Sequence, residues 1–265
     1  MHHRTSTSLT LDYDQKAKLL RHGIWSYDLF SKSDISEICN DLEIPQILEL
    51  EPLKISYRNI DSDYYCGISS IDSLISSYLG GCVSEICGMP GSGRTTFCLR
   101  YAQVLMKKNE CTLWIDTEGC LVPPSGLTLK TIRIHDHLQF FALTYKLRSI
   151  VNMINPKLIV VDSIAGTMRG EASNESNRTA LLWEFVNALK KIAAETGCAI
   201  FITNHLSYMQ FHGMIRTLGQ SLANAPTHCF EIKKSGLGSR TLRILKSPCL
   251  PKIDIELSDN VSFEY

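Results

Sequence analysis

The chain has 265 residues, of which 44% are hydrophobic and 20% charged, values typical of a globular protein with one large core and a small appendage. Its formal net charge is 0, so attraction to nucleic acid must come from local patches rather than from the whole molecule. No run of about 18 apolar residues occurs, and residues 1–6 lack the apolar core of a secretory signal. We therefore expect no membrane partner.

The cysteines and histidines argue against two further classes. The 10 cysteines are scattered without a C-x-x-C pair, and several lie in apolar strand-like runs. Buried, reduced thiols of a cytosolic or nuclear protein are therefore expected rather than a disulfide framework. The 8 histidines show no ligand spacing, which argues against a structural metal site.

The first part of the chain predicts a small helical unit. Residues 1–12 are polar and are expected to form a disordered tail. Helical spacing over 13–50 predicts a small helical domain, with Ser33 or Asp34 as a candidate N-cap. Residues 51–66 are predicted to be a linker that leads into one core domain over 67–265.

Strands alternate with helices from Gly67 onward, a pattern that predicts an α/β core with a mainly parallel, twisted sheet. Later short strands are separated by turn signals such as Ser235-Gly236, which predicts an antiparallel C-terminal extension on one edge of the sheet. The predicted strands are 83–87, 112–116, 158–162, 199–203, 229–233, 241–245 and 253–257, and the predicted helices are 94–107, 137–154 and 176–196.

A phosphate-binding loop follows the first predicted strand. Its glycines let successive backbone N–H groups turn inward around anionic oxygens, and the helix behind it adds its N-terminal partial positive charge. The Thr95 hydroxyl is a candidate ligand of Mg²⁺. A glycine-rich turn between unrelated elements is the alternative interpretation. The candidate phosphate-binding residues are Gly88, Met89, Pro90, Gly91, Ser92, Gly93, Arg94, Thr95 and Thr96.

Three later strands end in polar residues that fit the same site. Glu118 follows one strand and is the candidate general base for an attacking water, with a surface glutamate in a turn as the alternative. Asp162 ends an apolar strand and is a candidate for the Mg²⁺ shell, unless the strand merely stops there. Asn204 or His205 ends the third strand and is a candidate contact of the γ-phosphate, with a plain strand-to-loop transition as the alternative.

Two loops carry candidate DNA contacts. Arg169 and Arg178 lie in the first loop, 168–178, and Arg216 lies in the second, 206–225. Both loops start at the predicted sheet edge, where contact of arginine with the DNA backbone is physically reasonable. Two solvated loops without a nucleic-acid role are the alternative.

Together these segments resemble the RecA-like recombinases, specifically the eukaryotic strand-exchange recombinase and its paralogues, with the closest likeness to the C-type paralogue. The similarity runs from about Lys16 to the C-terminus. It implies a RecA-like phosphate-loop ATPase core preceded by a small helical N-terminal domain. The segments that carry it are S-E-I-C-G-M-P-G-S-G at 84–93, I-D-T-E-G at 115–119, R-G-E at 169–171 with Arg178, I-T-N at 202–204, L-G-Q at 218–220 and K-S-P-C-L-P at 246–251.

Several positions depart from the pattern of that family. Arg94 replaces the lysine of the phosphate loop; it keeps the charge, but its planar fork cannot take the compact geometry of an ammonium, so turnover should suffer. His205 stands where the recombinase has glutamine, and Lys246 begins the segment that resembles the cap over a neighbour's ATP, where the recombinase has aspartate. Pro123-Pro124 falls where the family runs a helix. The linker lacks an obvious Phe-x-x-Ala segment, so a long self-assembled filament is not expected.

The resemblance implies ATP and Mg²⁺ as ligands, Glu118 and Arg94 as catalytic residues, and weak or absent DNA-dependent ATPase activity. It implies a nuclear accessory protein that joins other paralogues and the main recombinase in a hetero-oligomer. That protein would support recombinase assembly on single-stranded DNA during homologous-recombination repair of double-strand breaks, in mitotic or meiotic cells. Two alternatives stay open, which are a DNA-dependent ATPase with its own strand-exchange activity and a scaffold that needs no nucleotide.

Overall fold

The computed structural model describes residues 64–166, 175–209, 213–216, 224–235 and 239–257. The predicted tail, the predicted helical domain over 13–50 and the predicted linker up to residue 63 lie outside the described residues. The structure therefore does not test the predictions for these segments.

The core already includes the last residues of the predicted linker. Tyr64 and Cys66 are buried in the main hydrophobic cluster. The Tyr64 hydroxyl lies 3.1 Å from the carbonyl oxygens of Lys157 and Gly197, and it accepts the Ala199 N–H at 3.1 Å. Packing and hydrogen bonds thus attach this segment to the strands of the sheet, so the core begins by Tyr64.

The described residues form one nine-stranded sheet with strand order β3-β2-β4-β5-β1-β7-β8-β9, and β6 pairs with β5 outside that path. Neighbours from β3 to β7 pair in parallel, whereas β8 and β9 pair antiparallel. The strands are β1 Val83–Gly88, β2 Thr112–Asp116, β3 Lys130–Arg133, β4 Leu158–Asp162, β5 Ala199–Met209, β6 Gly213–Arg216, β7 His228–Lys234, β8 Arg240–Lys246 and β9 Asp254–Leu257.

Helices cover both faces of this sheet. On one face α2 buries Phe97 and Tyr101 against Phe201 of β5, with ring centroids 6.5 Å and 4.9 Å from that ring, and α1 packs in the same cluster. On the other face α3 and α4 meet through Phe140 and Phe185, whose centroids lie 4.3 Å apart. The helices are α1 Ser69–Ile75, α2 Arg94–Lys107, α3 His137–Ile154 and α4 Glu175–Thr196. No described helix is both long and apolar enough to cross a membrane.

The predicted mainly parallel sheet with an antiparallel C-terminal extension is confirmed, with one difference in detail. The strand predicted at 229–233 is β7, and it pairs in parallel with β1, so the antiparallel part begins at β8. The reason is that β6 runs back antiparallel to β5, which returns the chain towards the opposite edge before β7 starts. The segment 120–129, with Pro123-Pro124, contains no helix.

Candidate nucleotide site

The phosphate loop lies between β1 and α2, at the carboxyl end of a central strand. Gly88 closes β1, and a Cβ added there would lie 2.6 Å from the Ile232 carbonyl oxygen and 2.4 Å from Ser92 Oγ, so a larger residue does not fit. Gly93 precedes α2 with φ of 102°, a left-handed conformation that favours glycine. The sequence therefore folds this segment into a tight loop directly ahead of a helix N-terminus.

Two observations indicate that this loop can bind an anionic group. The N-cap residue of α2 is Gly93, which has no side chain to cap the first turn of the helix. Ser92 Oγ is buried and has no hydrogen-bond partner among the described residues. Uncapped helix N–H groups beside a buried hydroxyl suit phosphate oxygens. At the tip of the loop, Met89, Pro90 and Gly91 are exposed, whereas Thr96 is half-buried in the first turn of α2.

Arg94 points back under the loop. Its Nη1 donates to the Gly88 carbonyl oxygen and, at 3.1 Å, to the Asn204 carbonyl oxygen. Its Nη2 lies 2.9 Å from Nδ1 of His205. Burial lowers the pKa of Arg94, while the nearby carboxylates of Asp162 and Glu118 act in the opposite direction. The side chain that replaces the expected lysine thus bridges the first residue of the loop and the middle of β5.

Asp162 gathers two hydroxyl groups at the end of β4. Thr95 Oγ1 donates to Asp162 Oδ2 at 2.8 Å, and Thr203 Oγ1 donates to Asp162 Oδ1 at 2.5 Å. Burial raises the pKa of the Asp162 carboxyl, and these two hydrogen bonds oppose the rise. Hydroxyl and carboxylate oxygens are ligands that Mg²⁺ accepts alongside phosphate oxygens, so the Thr95–Asp162 pair fits that ion. Among the described residues, no group of three His, Cys, Asp or Glu side chains could hold a metal ion alone.

Glu118 stands at the end of β2 with its carboxylate engaged on one oxygen. Ser163 Oγ donates to Glu118 Oε1 at 2.6 Å, and His205 Nε2 contacts the same oxygen. The hydrogen bond from His205, together with that from Ser163, lowers the pKa of the Glu118 carboxyl to about 2. The Glu118 side chain is 24% exposed, so water can reach it. A carboxylate with this pKa is ionised at neutral pH, but it is a weak base.

The turn that carries Glu118 is shaped by a pair that sequence reasoning missed. Asp116 Oδ1 accepts the backbone N–H groups of Glu118 and Gly119 at 3.1 Å and 2.7 Å. Its other oxygen accepts Arg133 Nη1 at 2.7 Å. Asp116 was visible in sequence as the last residue of a strand. Arg133 carried no signal, because it lies on β3, a short edge strand with mostly exposed residues.

Asn204 and His205 point to opposite faces of β5, as neighbours on a strand do. His205 reaches Arg94 and Glu118, whereas Asn204 Nδ2 donates to the buried Glu85 at 2.8 Å, and Cys229 Sγ donates to the other Glu85 oxygen at 3.1 Å. Only the backbone carbonyl of Asn204 meets the site, through Arg94. Of the two candidates for contact with a γ-phosphate, the side chain in the site is therefore His205.

The side chains of the three predicted DNA contacts lie outside the described part of the chain. Arg169 lies outside the described residues. Arg178 lies on α4 and Arg216 ends β6, but their side chains are outside the described part of the chain. Arg216 pairs with Leu206 in the β5–β6 ladder, one residue beyond His205, so the backbone of the second predicted DNA loop starts directly at the site.

The segment that resembles a cap over a neighbour's ATP begins at Lys246. Its Nζ donates to the carbonyl oxygens of Pro226 at 2.8 Å and Asn224 at 3.2 Å, both in the same chain. Lys246 thus fixes the connection that leads into β7. A cavity of about 600 Å³ is lined on one side by the phosphate loop and mixes apolar with charged walls. Its lining residues are Met89, Pro90, Ser92, Leu206, Glu231, Ile232, Lys233, Lys234 and Leu245.

These features define the class of protein. A mainly parallel sheet carries a phosphate loop after a central strand, with Glu118 and Asp162 at the ends of two neighbouring strands. Residues 125–209, from just before β3 to the end of β5, match the family model described as "AAA domain". The architecture is an α/β RecA-like core with antiparallel C-terminal strands.

Comparison with known proteins shows which proteins the chain is similar to. The chain is 29% identical to the DNA repair protein RAD51 homolog 4 of Bos taurus, over 70% of this chain and 67% of that protein. It is 27% identical to the DNA repair and recombination protein RadA of Cenarchaeum symbiosum, over 70% of this chain and 54% of that protein. It is 26% identical to RadB of Methanococcoides burtonii, over 74% of this chain and 93% of that protein.

The chain is similar to members of the RecA-like recombinase family. The resemblance found in the sequence is thereby confirmed at the level of the family. The eukaryotic paralogue among these relatives is homolog 4, so the closer likeness to the C-type paralogue stays a prediction. The match covers about half of the Cenarchaeum protein, and the activities of such whole proteins are not carried over by similarity alone.

Proposed function

We propose that this chain binds ATP with Mg²⁺ at the phosphate loop and turns it over slowly, and that it acts as an accessory protein in homologous-recombination repair. The observation that supports binding most directly is the joint geometry of Gly88, the uncapped α2 and the Thr95–Asp162 pair. In this proposal the loop N–H groups and Ser92 hold the phosphates. Thr95 and Asp162 would hold Mg²⁺, which would neutralise charge on the phosphates.

The slow turnover follows from how Glu118 and Arg94 are engaged. The Glu118 oxygen that would accept a proton from water already receives hydrogen bonds from Ser163 and His205, which weaken it as a base. The Arg94 guanidinium is held by two backbone carbonyls and His205. Nucleotide would then serve mainly as a conformational ligand, which shifts the protein toward the state that binds it better.

The role in recombination rests on the names of the relatives, all of which are DNA repair or recombination proteins. We propose that the chain joins other paralogues and the main recombinase in a nuclear hetero-oligomer and supports recombinase assembly on single-stranded DNA. Arg169, Arg178 and Arg216 are the proposed DNA contacts. Expression and localisation of the protein in dividing and in meiotic cells would distinguish a mitotic from a meiotic role.

The experiment that tests this proposal is a titration of the purified protein with Mg-ATP, with and without single-stranded DNA, in which bound nucleotide and released phosphate are both measured. The expected result is saturable, Mg²⁺-dependent binding with slow phosphate release. Arg94→Ala should also abolish nucleotide-dependent binding to partner paralogues, and unchanged assembly would count against the proposal.

The second candidate function is a DNA-dependent ATPase with strand-exchange activity, which is favoured by the convergence of Thr95, Asp162 and Glu118 at one site. Phosphate release that rises severalfold with single-stranded DNA, and that Glu118→Gln abolishes, would establish it in place of the accessory role. A melting temperature that saturating Mg-ATP does not raise would instead leave a scaffold that needs no nucleotide, because any ligand selective for the folded state stabilises it.

A further inference from the structure

The turn that carries Glu118 is attached to the edge strand β3 through one carboxylate. Asp116 Oδ1 accepts the backbone N–H groups of Glu118 at 3.1 Å and of Gly119 at 2.7 Å. Asp116 Oδ2 accepts Arg133 Nη1 at 2.7 Å. The three donors occupy both oxygens, so Asp116 connects the backbone of the turn to the Arg133 guanidinium.

The two partners of this ion pair differ in exposure. The Asp116 side chain is 4% exposed, whereas that of Arg133 is 44% exposed. A carboxylate taken out of water needs both hydrogen-bond donors and an opposite charge close by. The backbone N–H groups of the turn supply donors but no net charge. Arg133 therefore supplies the opposite charge that a buried carboxylate at position 116 requires.

Gly119 adds a direct contact between Arg133 and the turn. Its φ is 78°, in the left-handed region that favours glycine. A Cβ at this position would overlap the guanidinium, since it would lie only 2.5 Å from Arg133 Cζ. The guanidinium thus lies against the Gly119 backbone, in space that any other residue would fill. The turn is therefore held by Arg133 at Gly119 as well as through Asp116.

The backbone of β3 places Arg133 at this position. β2 and β3 pair in parallel with Asp116 opposite Arg133, and the Ile134 N–H donates to the Asp116 carbonyl oxygen at 2.9 Å. Side chains of paired residues on neighbouring strands project to the same face of a sheet. The strand pairing therefore presents the guanidinium to the Asp116 carboxylate at the point where β2 leads into the turn.

We propose that Arg133 is a positioning residue for Glu118. It acts through Asp116 and holds the turn where the Glu118 carboxylate meets Ser163 and His205. The proposal rests on the proposed function only in giving Glu118 a task at a nucleotide site. The contacts themselves belong to the protein without nucleotide.

The test is the ionisation of the Glu118 carboxyl in the full chain without nucleotide. The ¹³C shift of its carboxyl carbon, assigned with Glu118→Gln, is followed as a function of pH. In the wild type the contacts with His205 and Ser163 hold the pKa of Glu118 at about 2, below its ordinary value of 4.5. In Arg133→Gln the turn should relax and both contacts should weaken, so the pKa should rise toward 4.5. A carboxyl that is still fully ionised at pH 4.5 in this variant would overturn the proposal.

A second variant separates position from charge. Asp116→Asn removes a negative charge close to Glu118, which by itself would lower the pKa of Glu118. An asparagine has one acceptor oxygen instead of two, so it cannot serve the turn and Arg133 at separate oxygens. The proposal therefore expects the pKa of Glu118 to rise in this variant too. A lowered or unchanged pKa would overturn the proposal, because charge alone would then explain the result with Arg133→Gln.

The matched control is Arg148→Gln. It removes an arginine that is 56% exposed and whose Nη2 lies 2.8 Å from Glu195 Oε2, a carboxylate that is itself 37% exposed. Glu118 should titrate in this control as in the wild type. A rise of its pKa in the control would assign the effect to the loss of a surface charge and overturn the proposal.

The conservative variant Arg133→Lys keeps the test open if Arg133→Gln fails to fold. Lysine keeps a positive charge beside Asp116 but has no planar fork to lie against Gly119, so the pKa of Glu118 should still rise part of the way. No rise in Arg133→Lys would then overturn the proposal. Failure of the protein to bind Mg-ATP would overturn the proposed function but leave these readouts unchanged, so the two ideas fail separately.

Discussion

The two halves of the candidate site differ in how far they keep the pattern of the family. In one half Thr95, Thr203 and Asp162 form a compact cluster of two hydroxyls around a buried carboxylate, and Thr95 and Asp162 are the residues predicted for Mg²⁺. In the other half Arg94, His205 and Glu118 form a chain in which a replaced lysine meets a replaced glutamine. The half suited to Mg²⁺ and phosphate is intact, whereas the half suited to activating water is occupied by the protein's own side chains.

Under the proposed function, binding and turnover would depend on separate groups within one site. The hydroxyl–carboxylate cluster needs only oxygen atoms at the right separation, which the neighbouring ends of α2, β4 and β5 supply. Activation of water needs a carboxylate free to accept a proton. A chain can therefore keep the first function while its side chains restrain the second.

The largest effect is expected in the intact half. Asp162→Ala removes the acceptor of two hydroxyl groups, and leaving such groups without a partner costs about 1–3 kcal/mol of the free energy of unfolding. Mg²⁺-dependent nucleotide binding should be lost as well. Denaturant unfolding and nucleotide titration measure the two effects. The matched control is Asp254→Ala, which removes an exposed carboxylate paired with Arg243 and should change the free energy of unfolding little. Equal losses in both variants would contradict the special role of Asp162.

A smaller effect is expected from Glu118→Gln, in the half of the site that departs from the family pattern. The folded pKa of Glu118 is about 2, below its ordinary value of 4.5. Its contribution to stability is therefore fully present above pH 4.5 and is lost as the pH falls toward 2. The glutamine variant should lack this loss of stability at acid pH, and it should still bind nucleotide. The free energy of unfolding, measured as a function of pH, tests this expectation, with the exposed Glu110→Gln as control. If Glu118→Gln loses stability at acid pH as the wild type does, His205 and Ser163 do not stabilise the carboxylate.

The smallest effect is expected outside both halves, at His228. This buried ring lies 3.0 Å from the Tyr78 carbonyl oxygen and 3.0 Å from Ser247 Oγ, and burial lowers its pKa below 6.5. The unfolded chain therefore binds a proton first as the pH falls. The contribution of His228 to stability is present above pH 6.5 and declines as the pH falls toward the lowered pKa.

His228→Gln should flatten this decline, whereas His135→Gln, at an exposed ring, should keep it. Melting curves between about pH 5 and pH 8 measure the difference. A decline that persists in His228→Gln would assign it to other groups. If His228→Gln also changed the affinity for nucleotide, the region around His228 would not be independent of the candidate site.

Much of the fold could be predicted because its central strands are continuous apolar runs. The predictions for β2, β4, α2 and α3 have the observed limits, since buried parallel strands and long periodic helices leave strong local patterns. β3 and β6 were missed. β3 has mostly exposed residues at the edge of the sheet, so hydrogen bonds to β2, rather than its own side chains, make it a strand.

The candidate site divides in the same way. The sequence by itself determined the phosphate loop, the carboxylates at 118 and 162 and the replacement of lysine by Arg94, because each depends on residue types at short spacing. Only the tertiary structure decided that Arg94 turns to His205, that His205 holds Glu118 and that Asn204 faces Glu85 instead. The physical reason is that these contacts join residues about a hundred positions apart, which meet because parallel strands bring their carboxyl ends to one edge of the sheet.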